Sequence, residues 1–98
     1  MLDDAKTTQM LEEIAKSKLG RENVVRVFTE PWSDLDGKDA LRITIVITPG
    51  AVERIKGDDL VDNLVDIHTR LYEVHDERTP FVTYATEEEL AAGDDPEC

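Results

Sequence analysis

The hydrophobic period changes along this chain, and each change marks an element. Over residues 4–19, Met10, Leu11, Ile14 and Ala15 follow the i, i+3, i+4 spacing of one helical face. Asp3 or Asp4 can cap its start, and Gly20 suits the left-handed residue past its end. The face is narrow and the segment carries Lys6, Lys16 and Lys18, so this helix is expected at an edge of the fold. Residues 23–32 read as a strand through Val24, Val25, Val27 and Phe28, with Pro31 confined to an edge or a strand end because it donates no ladder bond. Residues 40–48 are the clearest strand: Leu41, Ile43, Ile45 and Ile47 alternate with Arg42, Thr44 and Thr48. Between the two strands lies a polar turn with the hairpin dipeptide Asp36-Gly37. A two-residue turn there places Trp32 opposite Leu41 and Phe28 opposite Ile45, with both aromatics on the isoleucine face; a slip of one residue reverses this.

Thr48-Pro49-Gly50 ends the second strand, and residues 51–56 can form a helical turn broken by Gly57. The long helix is predicted over residues 58–77, capped by Asp58 or Asp59. At ~100° per residue, Leu60, Val61, Leu64, Val65, Ile67, Leu71, Tyr72 and Val74 fill about half its circumference. His68 and His75 fall near the middle of that arc, and Asp62, Asp66, Thr69, Arg70 and Glu73 occupy the other half. So wide an apolar arc implies packing on a sheet. Residues 81–85 read as a third strand, and Thr86-Glu87-Glu88-Glu89 matches a capping box for a last helical turn ending near Ala92.

The expected fold is therefore α+β: a two-layer α-β-β-α-β arrangement with a three-stranded mixed sheet and two helices packed on one face. Residues 1–92 form one small domain and residues 93–98 a disordered acidic tail. The other sheet face is expected to be open, exposing Val46 and Phe81. Homodimerisation through an edge strand or that open face would cover it.

Charge narrows the choice of partner. The net charge is −12, but residues 1–57 hold ten acids and nine bases, while residues 58–98 hold thirteen acids against Arg70 and Arg78 alone. An anion this concentrated repels phosphate backbones and anionic membranes, which argues against nucleic acid and membrane partners. It suits a basic protein. The only cysteine, Cys98, excludes a disulfide framework, and no apolar run approaches a membrane span, so the expected setting is cytoplasmic.

Candidate chemistry is sparse. His68 and His75 are seven apart, about 10 Å along a helix at ~1.5 Å per residue, which is too far for one ion to reach both. Their place on the apolar arc predicts neutral, inward histidines. A pocket between helix and sheet would draw on His68, His75, Trp32 and Tyr84. Asp34-x-Asp36-Gly37-x-Asp39 has part of a calcium-loop pattern, but Trp32 and Ile43 stand at its two anchor positions. The isolated glycines and serines form neither a phosphate loop nor a nucleophile elbow. No catalytic residue, metal site or cofactor is predicted.

Two resemblances are local or topological. Ser33-Asp34-Leu35-Asp36 is similar to the Ser-Asp-x-Asp segment of small nucleotidyltransferases, whose paired acids hold a catalytic metal; the Gly-Ser turn of that family has no counterpart at Gly20-Arg21-Glu22-Asn23. The α-β-β-α-β layout is similar to KH-type RNA-binding modules and to ribosome-binding factor A, which implies an RNA- or ribosome-associated factor; Thr48-Pro49-Gly50-Ala51 departs from the GxxG loop of KH domains. The leading expectation is a non-catalytic binding or regulatory protein that meets a basic partner through Asp62, Asp66 and Glu73 on the long helix and through Glu87, Glu88 and Glu89 beyond the third strand.

Overall fold

The computed structural model describes residues 4–33 and 35–93. The first helix, α1 (Asp4–Leu19), buries Thr7, Leu11, Ala15 and Leu19, each four residues after the last, in one stripe. It stops at Gly20, whose N–H still bonds the Lys16 carbonyl at 3.0 Å while its φ of 98° turns the following chain out of the helix. Strand β1 (Val24–Ser33) then pairs antiparallel with β2 (Asp39–Ile47). After a short helix, α2 (Ala51–Arg54), the long helix α3 (Gly57–Glu73) crosses over to β3 (Thr79–Thr86), which lies parallel to β2. A last helix, α4 (Glu87–Gly93), follows. The strand order is β1-β2-β3, so the fold is α+β with a mixed three-stranded sheet. No helix among the described residues is long and apolar enough to cross a membrane.

One buried cluster joins Leu11, Ala15 and Leu19 of α1 and Ile67 and Leu71 of α3 to Leu41, Ile43, Ile45 and Ile47 of β2. The alternation of β2 puts its four apolar side chains on one face, and the two helices bury against them.

The hairpin register corrects the expected one. Trp32 pairs with Ala40 and Phe28 with Thr44, while Val27 and Pro31 face Ile45 and Leu41. The last pair is Ser33 with Asp39, so the connection runs over residues 34–38 rather than the two residues Asp36-Gly37. Gly37 still supplies the positive φ, 80°, that the turn needs. At the other end the register shifts between Val24 and Arg26. This bulge turns both Val24 and Val27 into the core although they are of opposite parity.

The aromatics thus lie on the far face of the sheet, and that face is not open along its centre. Trp32 and Phe81 meet edge to face with ring centroids 5.3 Å apart, reaching over the middle strand from its two neighbours. Toward the other end Arg26, opposite Val46, pairs with Glu87 at 3.0 Å just past β3. Between these two straps Ala40, Thr44 and Val46 are buried. Val46, expected on an open face, is fully enclosed; Phe81 stays partly exposed.

The long helix is shorter than expected. Lys56 is its N-cap residue and makes no side-chain capping bond, so Asp58 and Asp59 sit inside the first turn, where they favour the positive end of the helix. At the C-terminus, His75 takes a left-handed φ of 60°. The His75 N–H bonds the Tyr72 carbonyl at 3.1 Å and the Asp76 N–H bonds the Leu71 carbonyl at 2.9 Å. This Schellman pair ends the helix four residues before Glu77. The expected capping box does form: the Glu89 N–H donates to Thr86 Oγ1 at 3.1 Å, and the Thr86 N–H donates to Glu89 Oε1 at 3.0 Å. Gly93 closes α4 instead of opening a tail, and the expected tail over residues 94–98, with Cys98, lies outside the described residues. So do Asp3 and Asp34.

Candidate functional site

The features that can meet a partner concentrate on α3. Its buried stripe is Asn63, Ile67 and Leu71, with Leu60 and Val74 packed at the margin. That stripe is turned roughly 60° from the centre of the apolar arc, at ~100° per residue. Half the arc is therefore outside. Val61 is 61% exposed, Leu64 39%, Val65 55% and Tyr72 83%, and His68 is exposed among them.

A polar residue stands in the buried stripe. Asn63 lies in the core and donates from Nδ2 to the Tyr84 hydroxyl at 3.0 Å. Burial pushes the Tyr84 phenol pKa up, and the Asn63 bond opposes this in part. Asn63 Oδ1 is buried with no hydrogen-bond partner among the described residues. On the flank toward α1, Asp66 pairs with Lys18 at 3.3 Å. The apolar strip is on the opposite flank, away from α1: His68 and Tyr72 line a shallow hollow with Thr79 and Pro80 at the start of β3.

The inward histidines are therefore corrected. His68 is exposed on the strip, and His75 is exposed at the helix end, where it serves as the left-handed terminator. The four residues considered for a pocket are not brought together. Trp32 lies on the far face of the sheet, Tyr84 points under α3, and the two histidines stand outside. His75 borders an open cleft of about 520 Å³ with Lys38, Asp39 and Arg78. No group of three His, Cys, Asp or Glu among the described residues could hold a metal.

The acidic candidates divide by what already holds them. Asp66 pairs with Lys18, Glu73 with Arg70 at 3.9 Å and Glu87 with Arg26, while Glu89 is the capping side chain. Asp62 and Glu88 are exposed, and neither makes an ion pair among the described residues. Asp58, Asp62, Asp66 and Glu73 follow one another around and along the helix as an acidic strip beside the apolar one.

The link between α3 and β3 holds a cluster that sequence pattern did not single out. Asp76 is buried and accepts bonds from Arg78 Nη2 at 2.6 Å, Arg78 Nε at 2.9 Å and the Arg78 backbone N–H at 3.1 Å. Arg78 Nη1 also reaches Asp4 of α1 at 3.2 Å. These bonds hold the Asp76 carboxyl below its usual pKa and raise that of the guanidinium. The only signal in the sequence was an Asp-x-Arg spacing between a helix end and Pro80.

Comparison with family models, curated proteins and solved structures gives no match to this chain.

Proposed function

We propose that this chain is a small acidic, cytoplasmic, non-catalytic binding protein that acts by protein–protein contact with a basic partner. The observation that carries this reading is the acidic strip of α3. Asp58, Asp59 and Asp62 stand in its first two turns with no ion pair among the described residues, so their charge is presented outward rather than neutralised within the chain. A basic surface docking there would gain mainly in association rate and in discrimination against acidic proteins. The chemistry around the strip suits this role: exposed carboxylates and an adjoining apolar surface.

The test is capture from the native host with the full chain as bait, followed by identification of the captured protein and binding of the purified pair. A basic protein should be held by the wild type, lost on Asp58→Lys with Asp62→Lys, and weakened as ionic strength rises. Capture that survives the double reversal, or that does not respond to salt, removes the reading.

A further inference from the structure

We propose that two copies of this chain associate about a two-fold axis, pairing β3 with β3 of the second copy and packing the apolar strips of their α3 helices together. Apart from the first turn of α3, which borders both, this surface lies on a different flank from the acidic strip, and the inference does not depend on the basic partner. The two edges of the sheet are treated differently. At β1 the edge is closed: the Val27 N–H donates to Glu12 Oε1 of α1 at 3.3 Å, Thr8 and Thr29 share a hydroxyl bond of 2.7 Å, and the strand carries Pro31 and a bulge. At β3 the only pairing among the described residues is with β2. Thr79–Thr86 holds no charged side chain; Pro80 at its second position has no N–H and the Thr86 N–H at its end already donates to Glu89 Oε1 at 3.0 Å, so the stretch left able to pair is Phe81 to Ala85.

The apolar strip stands beside this edge and is level with it. Asn63 touches Tyr84 near one end of β3, and Tyr72 lies by Thr79 and Pro80 at the other. Interpolating between these contacts sets the gap between Val65 and His68 level with Val82 and Thr83, the middle of the strand. One two-fold axis at that level joins β3 to its copy antiparallel and sets the two helices side by side in opposite directions. Val61, Val65, His68 and Tyr72 are spaced four, three and four apart, so the strip reads the same from either end. Val65 then meets His68 of the second copy and Val61 meets Tyr72. The acidic first turn of each helix falls beside the His75 end of the other, which sets opposite helix-dipole ends together.

The size suits a weak, concentration-dependent pair. The 17 residues of α3 and the 8 of β3 each extend roughly 25 Å. With layers roughly 10 Å apart and side chains filling the stack to roughly 20 Å, the face covers on the order of 500 Å² per partner, at the low end of specific interfaces. A second copy is favoured over a foreign strand because both the edge and the strip are self-complementary about the same axis.

Sedimentation equilibrium of the full chain over a concentration series up to about 100 μM should give twice the 11.0 kDa chain mass. Val65→Asp and, separately, Tyr72→Asp should raise the dimer dissociation constant roughly 30-fold or more, while Asp62→Asn leaves it unchanged. Both altered side chains are mostly exposed, so folding is retained and circular dichroism will verify it. Amide exchange gives a second reading on the unaltered protein: amides within β3 should slow as concentration rises and those of β1 should not. A monomer throughout the series, species larger than a pair, or a dimer indifferent to both substitutions would overturn the proposal.

Discussion

The two edges of the sheet differ in how they meet solvent. At β1, a helix lies alongside, a glutamate accepts an outward N–H and a bulge twists the strand end. At β3, α3 crosses over but turns an apolar strip past the edge instead of closing it. Both arrangements use an amphipathic helix against one sheet. The difference lies in the angle to which each helix is rolled. In α1 the i, i+4 stripe Thr7, Leu11, Ala15 and Leu19 uses up nearly all the helix can bury. In α3 the apolar arc is about twice as wide as the buried stripe, and the excess is left on the side where the sheet stops. A narrow arc thus specifies its own packing, whereas a wide one leaves a surface for something else.

The comparison breaks most severely at the link that holds β3 in place. Asp76→Ala would leave the Arg78 guanidinium, largely enclosed, without its main partner, and should cost about 3 kcal/mol in urea unfolding, in the range for one-sided loss of a buried pair. The pH dependence has a defined sign. The folded Asp76 carboxyl titrates below its unfolded value near 3.8, so its contribution is present above that pH and is lost as pH falls through the lower folded value. The wild type should lose stability below about pH 4, and Asp76→Ala should show a flatter acid limb. An equally steep limb would place the acid sensitivity elsewhere.

A smaller effect tests the closed edge. Glu12→Ala removes the acceptor for the Val27 N–H and should cost about 1 kcal/mol, with faster exchange confined to β1 amides. If β1 then pairs as readily as β3, the variant should self-associate more than the wild type, and a cap inside the strand, rather than at its end as Glu89 caps Thr86, is what distinguishes the edges. The smallest effect has the opposite sign. His75 holds a left-handed φ of 60°, which a glycine adopts without strain, so His75→Gly should stabilise by about 0.5–1 kcal/mol on thermal unfolding. A loss of stability would mean that the imidazole makes a contact worth more than the strain it imposes.

Much of the fold was legible because two periods are hard to confuse. The bounds of α1, the alternating isoleucines of β2, the capping box at Thr86 and the element order all follow from local pattern. The register did not, for a reason visible at Val24 and Val27. A bulge changes the parity of a strand, and nothing in Val24-Val25-Arg26-Val27 marks where the extra residue lies. The roll of α3 was also hidden. Its apolar arc offers two acceptable inward faces, and the choice is tied to Asn63, a polar residue whose core position makes sense only beside Tyr84, 21 residues away. The roll carried His68 outside, the left-handed turn past the helix end exposed His75, and the hairpin register put Trp32 on the far face, so the pocket drawn from His68, His75, Trp32 and Tyr84 came apart. Asp62, Asp66 and Glu73 share the remaining sector of the helix with Thr69 and Arg70, away from the buried stripe.

The parallel pairing of β3 also orders the folding reaction. The β1–β2 hairpin closes over a five-residue connection, while β3 reaches β2 only after α3 has crossed, with Ala40 meeting Thr79 far along the chain. Loop closure makes the hairpin the early event and β3 docking the late one. During synthesis β2 therefore emerges well before its second neighbour, and the run Leu41–Ile47 carries an unpaired side until the last third of the chain is available.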